Sequence, residues 1–199
     1  MLLFHLFFVF SYAKYKTKRE MRMIIIYGTQ YGTSKKYADK LAEMTGLEEV
    51  DYSSIKDKST YDKVFYVGSL YAGGVKGLKQ TVKKLPADTE FVVITVGLAD
   101  PSDPENADNI KASVRQQVPE ALFPKIKFFH LRGSIDYKRL NFKHRTMMAM
   151  LYRQVKKRPE DQLKSEDKMM LETYNKVVDF VDYNSLNPIV DLIHQTDLE

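Results

Sequence analysis

The chain has 199 residues, with 31 Lys and Arg against 26 Asp and Glu for a net charge of +5, and is 44% hydrophobic and 29% charged. These are globular proportions, and the length suits one domain with appendages. With no Cys, a disulfide framework, a thiolate nucleophile and a Cys-held zinc or iron–sulfur centre are excluded, so redox chemistry has to come from an organic cofactor. His5, His130, His144 and His194 form neither an HExxH motif nor a close pair, and no metal is expected.

Residues 1–13 (MLLFHLFFVFSYA) carry no Lys, Arg, Asp or Glu, and a basic stretch, 14–19, follows. At ~1.5 Å per residue the run is too short to cross ~30 Å of hydrocarbon as a helix. A secretory signal would place its charge on the other side. Met21 and Met23 directly precede an apolar strand. Residues 1–22 therefore read either as the product of a start codon assigned too early or as a loose membrane or partner anchor.

From Met23 strand-like and helix-like segments alternate. Residues 23–27 (MIIIY) form a β-favouring run, and a helix is expected from Ser34 with Tyr37, Ala38, Leu41 and Ala42 on its apolar side. Strands follow at 48–52 and 63–68, a helix at 78–84, a strongly apolar strand at 90–97, a helix at 103–118 and a fifth strand at 125–131. The last helix is expected at 165–183, with Met169, Met170, Tyr174, Val177, Val178 and Val181 as its apolar stripe.

Strands that are apolar throughout and separated by helices indicate a parallel sheet covered on both faces. The expected fold is α/β, a doubly wound five-stranded parallel sheet with an insertion before the last helix. The core domain spans 23–184, the insertion 133–164 and a C-terminal tail 185–199. In such sheets a ligand sits outside the carboxyl ends of the strands. The loops that matter are then 28–34, 69–77 and 98–103.

The first of these, Gly28-Thr29-Gln30-Tyr31-Gly32-Thr33-Ser34, offers three hydroxyls from Thr and Ser and two glycines at a helix start, where free N–H groups and the dipole favour an anion. No Lys lies inside it, so GxxxxGK[ST] is not met, and GxGxxG is absent. That argues against a nucleoside triphosphate or dinucleotide and for a mononucleotide with a terminal phosphate. Plain helix capping is the other reading of the same residues.

This loop resembles the FMN phosphate loop of flavodoxins, whose pattern is Thr/Ser-x-Thr-Gly-x-Thr just after the first strand. Here it reads Thr29-x-Tyr31-Gly32-x-Ser34, with Tyr31 and Ser34 where Thr is usual. The resemblance implies a flavodoxin-like fold over about 23–184, FMN as cofactor, and Thr29, Gln30, Tyr31, Gly32, Thr33 and Ser34 around its phosphate. It implies a second flavin loop at Ser69, Leu70, Tyr71, Ala72, Gly73 and Gly74, with Tyr71 stacking on the ring. The third loop, Leu98, Ala99 and Asp100, lacks the aromatic that flavodoxins often place there. The outer flavin face is expected to be open.

Between residues 125 and 158 eleven Lys and Arg face a single acidic residue, Asp136, a local net charge of +10. Leu140, Met147, Met148, Leu151 and Val155 recur at helical spacing, giving a basic amphipathic segment suited to an anionic membrane surface or an acidic partner, or else a core helix with a solvated basic face. No nucleic-acid motif accompanies the charge, and no nucleic acid is expected. The run RGSIDYKRLNFKHRTMMAML is similar to the corresponding region of menaquinone-dependent protoporphyrinogen oxidases. By that resemblance Arg132, Lys138, Arg139 and Arg145 are candidates to bind substrate carboxylates or membrane.

Two functions follow from the resemblances: an FMN protein carrying electrons between partners, or a quinone-dependent protoporphyrinogen dehydrogenase of haem biosynthesis. A redox protein or a quinone is the expected partner. The expected location is the cytoplasm, with peripheral contact at the inner face of the membrane. No acid or base residue is nominated.

Overall fold

The computed structural model describes residues 21–56 and 59–198. The leader expected over 1–22 lies outside these residues except for its last two. β1 (Met23–Gly28) lies between β2 (Glu49–Asp51) and β3 (Lys63–Tyr71), and β5 (Glu90–Gly97) and β6 (Lys127–Arg132) complete a parallel sheet of order β2-β1-β3-β5-β6. β4 (Gly74–Val75) adds an antiparallel bridge to the end of β3.

Side chains alternate across the sheet. Ile25, Phe65, Val67, Val92 and Ile94 point to one face, under α1 (Thr33–Thr45) and α6 (Asn187–Leu198). Ile24, Ile26, Val64, Tyr66, Phe91 and Val93 point to the other, where they meet residues of α2 (Leu78–Lys84) and α3 (Pro104–Arg115). Burial on both faces explains why these strands read as unbroken apolar runs. α1 packs through Tyr37, Ala38 and Leu41, all buried, and ends at Gly46, whose left-handed backbone (φ +73°) lets its N–H close back on Ala42 O.

After β6 come β7 (Ser134–Asp136), a short turn, α4 (Phe142–Val155), α5 (Ser165–Thr173) and β8 (Val177–Asp179), the last antiparallel to β7 with Ile135 opposite Val178. The helix expected over 165–183 is therefore two elements. α5 stops at Thr173, Asn175 turns the chain at φ +61°, and the β-branched Val177 and Val178 enter the ladder. The insertion accordingly extends past 164 to include α5 and β8. The segment expected as a tail is α6 instead: Ile189 and Ile193, fully buried beside Leu186, close one face of the main core. Their spacing of four residues puts both on one helical stripe.

Candidate functional site

The carboxyl ends of the central strands lie level. Gly28 is in register with Gly68, Gly68 with Thr95, and Gly97 with Arg132. At the end of β1 the Thr29 hydroxyl accepts from Gly32 N at 2.9 Å. Gly32 itself sits at φ +92° and offers no side-chain cap to α1, whose first backbone bond runs from Lys36 N to Gly32 O. The first-turn N–H groups thus remain for a ligand or water. Thr33 and Ser34 are polar yet 6% and 0% exposed. Their hydroxyls bridge to other elements: Ser34 Oγ lies 2.8 Å from Ser69 Oγ, and Thr33 Oγ1 2.9 Å from Ser134 Oγ. Gln30 N also donates to Ser69 Oγ. Hydroxyls, free N–H groups, the positive end of a helix and no carboxylate in residues 28–34 make a donor set that fits a phosphate monoester.

The second loop is a tight hairpin, with Ala72 at φ +50° and Gly73 at φ +77° between Tyr71 and Gly74. α3 and the turn after it hold the loop, since Ser113 Oγ donates to Gly73 O and Gln117 Oε1 accepts from Val75 N. Tyr71 joins an aromatic cluster with Tyr31 and His144, with ring centroids 5.5–6.5 Å apart and edges to faces. His144 Nε2 lies 3.1 Å from Tyr71 OH and 3.4 Å from Gln30 Nε2, and Lys76 donates to Gln30 Oε1 at 2.7 Å. One residue of the insertion thereby ties the first two loops together.

In the third loop the Asp100 carboxylate accepts from Ser102 N and Ser102 Oγ, and these bonds hold its pKa below the usual carboxylate range. Asn106 Nδ2 donates to Asp100 O. The Arg132 guanidinium donates to Leu98 O through Nε (3.3 Å) and Nη2 (3.1 Å) and stacks 3.8 Å over Phe180. Arg145 donates to the carbonyls of Lys138 and Leu140. Lys138 and Arg139 are exposed on the turn after β7. Arg145, itself exposed, thus lies beside the exposed Lys138 and Arg139, while the half-buried Arg132 is turned to the third loop.

A cavity of about 660 Å³ lies where the loops meet. Tyr31, Thr33, the hairpin residues Ser69 to Gly74, Leu98 and Ala99 line it. Thr29, Gln30, Gly32 and Ser34 lie next to that wall in the first loop, and Asp100 is exposed. The side expected to be open is covered by the insertion: Tyr137, Met147, Met148, Met169 and Met170 form its wall, and Asn106, Asn109 and Ile110 of α3 complete it. Asp103, the cap of α3, also accepts from Ser165 at the start of α5, which pins the insertion to the third loop. Sequence reasoning missed Ser134, Tyr137, Asn106 and Asn109. The Met pairs were visible, but as helix stripes rather than as a cavity wall.

A sheet of this order, with a hydroxyl-lined helix start at its switch point, defines a doubly wound α/β domain of the kind that binds ligands at that point. The sequence profile described as flavodoxin domain matches residues 24–162, and the chain belongs to that family. Among solved structures it is similar to a candidate flavoprotein from Bacteroides uniformis at 12% identity and TM-score 0.41, covering 58% of this chain and 92% of that one. A second, from Bacteroides eggerthii, aligns at 12% identity and TM-score 0.35 over 55% of this chain and 85% of the other. No curated protein matches the chain.

Proposed function

We propose that this protein binds FMN and carries electrons between redox partners. The observation that carries the reading is the start of α1: a glycine cap in the left-handed region, buried Thr33 and Ser34, and the Thr29 hydroxyl, all beside a 660 Å³ cavity. Thr29, Thr33, Ser34 and the first-turn N–H groups would hold the phosphate, and the walls of loops two and three would hold the ring. FMN supplies one- and two-electron chemistry when bound. The chain's own work is to orient it and to exclude water, for which the Met-rich wall is suited.

A second reading is a quinone-dependent flavoenzyme of the protoporphyrinogen dehydrogenase type. One observation favours it: the insertion walls the cavity instead of leaving that side bare for a protein partner. Anaerobic absorbance separates the two. Flavin bands that persist on adding reduced porphyrinogen support the carrier. Bands that bleach with porphyrinogen and return with a soluble quinone support the enzyme.

For location we propose the cytoplasm, with the outer face of α4 meeting an anionic bilayer. Phe142 and Met150 are 84% and 57% exposed there, among Lys143, Arg145 and Arg153, the pattern of an interfacial helix. Among the described residues no helix is long and apolar enough to cross a membrane.

A further inference from the structure

The cavity wall built by α3 and the insertion holds three buried polar atoms with no hydrogen-bond partner: Asn106 Oδ1, Asn109 Nδ2 and Tyr137 OH. Asn106 and Tyr137 are 2% and 3% exposed, so bulk water does not satisfy them, and groups left in this state call for a ligand or an ordered water. The orientation of Asn106 is set by its other end, because Nδ2 donates to Asp100 O at 2.9 Å. Its free atom is therefore an acceptor. Asn109 stands three residues on, on the same face of α3, and its amide, held by no other hydrogen bond, is free to turn a donor to the cavity. Tyr137 is packed edge-on against Tyr174 and lies near the Thr173 hydroxyl, which donates its own proton to Met169 O. Burial pushes the Tyr137 phenol up to about 12, which keeps it a donor at neutral pH.

The surroundings are Ile110, Met148, Met169 and Met170, all apolar. Of the charged residues in the lining, Arg158 and Asp167 pair with each other at 2.7 Å, while Lys164 and Glu166 are exposed. Two donors and one acceptor on a neutral, polarizable wall complement an imide edge, in which an N–H lies between two carbonyls. We infer that Asn106, Asn109 and Tyr137 form a subsite for a neutral imide, supplied by the pyrimidine end of the flavin ring. This rests on the FMN reading above. It assigns recognition of the ring to side chains of α3 and the insertion, elements outside the three loops named from the sequence.

The test compares FMN with 3-methyl-FMN, in which the imide N–H is replaced, by titrating each into the full-length apoprotein and following flavin fluorescence. The analogue should bind at least about tenfold more weakly. Asn109→Leu, which removes no hydrogen bond within the protein, and Tyr137→Phe should each weaken FMN about tenfold. Equal binding of FMN and its methyl analogue by the wild type would overturn the subsite, as would unchanged FMN affinity in both variants. Uridine, an imide without the rest of the flavin, should not bind the FMN-loaded protein; if it did, the subsite would belong to a second molecule and this inference would fail. A protein that binds neither flavin would sink the FMN reading itself, and the subsite with it.

Discussion

Gly28 ends β1 against the backbone of the second loop: a Cβ there would lie 2.0 Å from Lys76 O and 2.7 Å from the Tyr66 hydroxyl. That hydroxyl is buried in the sheet and donates to the same Lys76 carbonyl. The first and second loops are thus spaced by a missing side chain. Gly28→Ala should cost about 1–3 kcal/mol, the range for overpacking a rigid site, read as a lower denaturant midpoint; an unchanged midpoint would contradict the close approach. The sequence marks Gly28 as the start of a turn, but its reason for being glycine lies 48 positions away and is a contact, not a conformation. Arg132 makes the same point. Its charge suggests an anion partner, whereas its hydrogen bonds go to Leu98 O and its face to Phe180.

α4 works on two sides. Met147, Leu151 and Gln154 line the 660 Å³ cavity and also the base of an outward groove that Phe142, Lys143, Thr146 and Met150 complete. If that groove meets lipid, replacing Lys138, Arg139, Lys143 and Arg145 with neutral residues should reduce flotation with anionic vesicles at least about tenfold, since each basic group near such a surface contributes roughly 1 kcal/mol. Equal flotation of variant and wild type would return α4 to the role of a wall with a solvated basic face. Elements with one clear period were legible beforehand: β5 and α2 fall at the expected residues, 90–97 and 78–84. The segment 165–183 was not, because Met169, Met170, Tyr174, Val177 and Val178 keep a helical spacing across a boundary set by Asn175 and by pairing with β7. Strand pairing at a distance leaves no trace in local periodicity.

At the scale of the whole molecule, burial on both faces of the sheet writes itself into the sequence as apolar strands, so the doubly wound architecture and the loops at the carboxyl ends of its strands could be read directly. What completes the cavity could not. The insertion folds back so that β7 pairs with β8, Ser134 meets Thr33, His144 meets Tyr71 and Ser165 meets Asp103. Each of these contacts joins segments far apart in the chain, and none belongs to a motif. The loop proposed to hold phosphate has the opposite character, with its glycines, hydroxyls and helix start contiguous in seven residues.

That loop also offers the most direct test of the account. Equilibrium titration of the apoprotein with FMN and with riboflavin, which differ only in the phosphate, isolates its contribution. Loss of two or more charge-assisted hydrogen bonds should make riboflavin roughly a hundredfold weaker or more; riboflavin and FMN binding with equal affinity would contradict the assignment of the α1 start as a phosphate site.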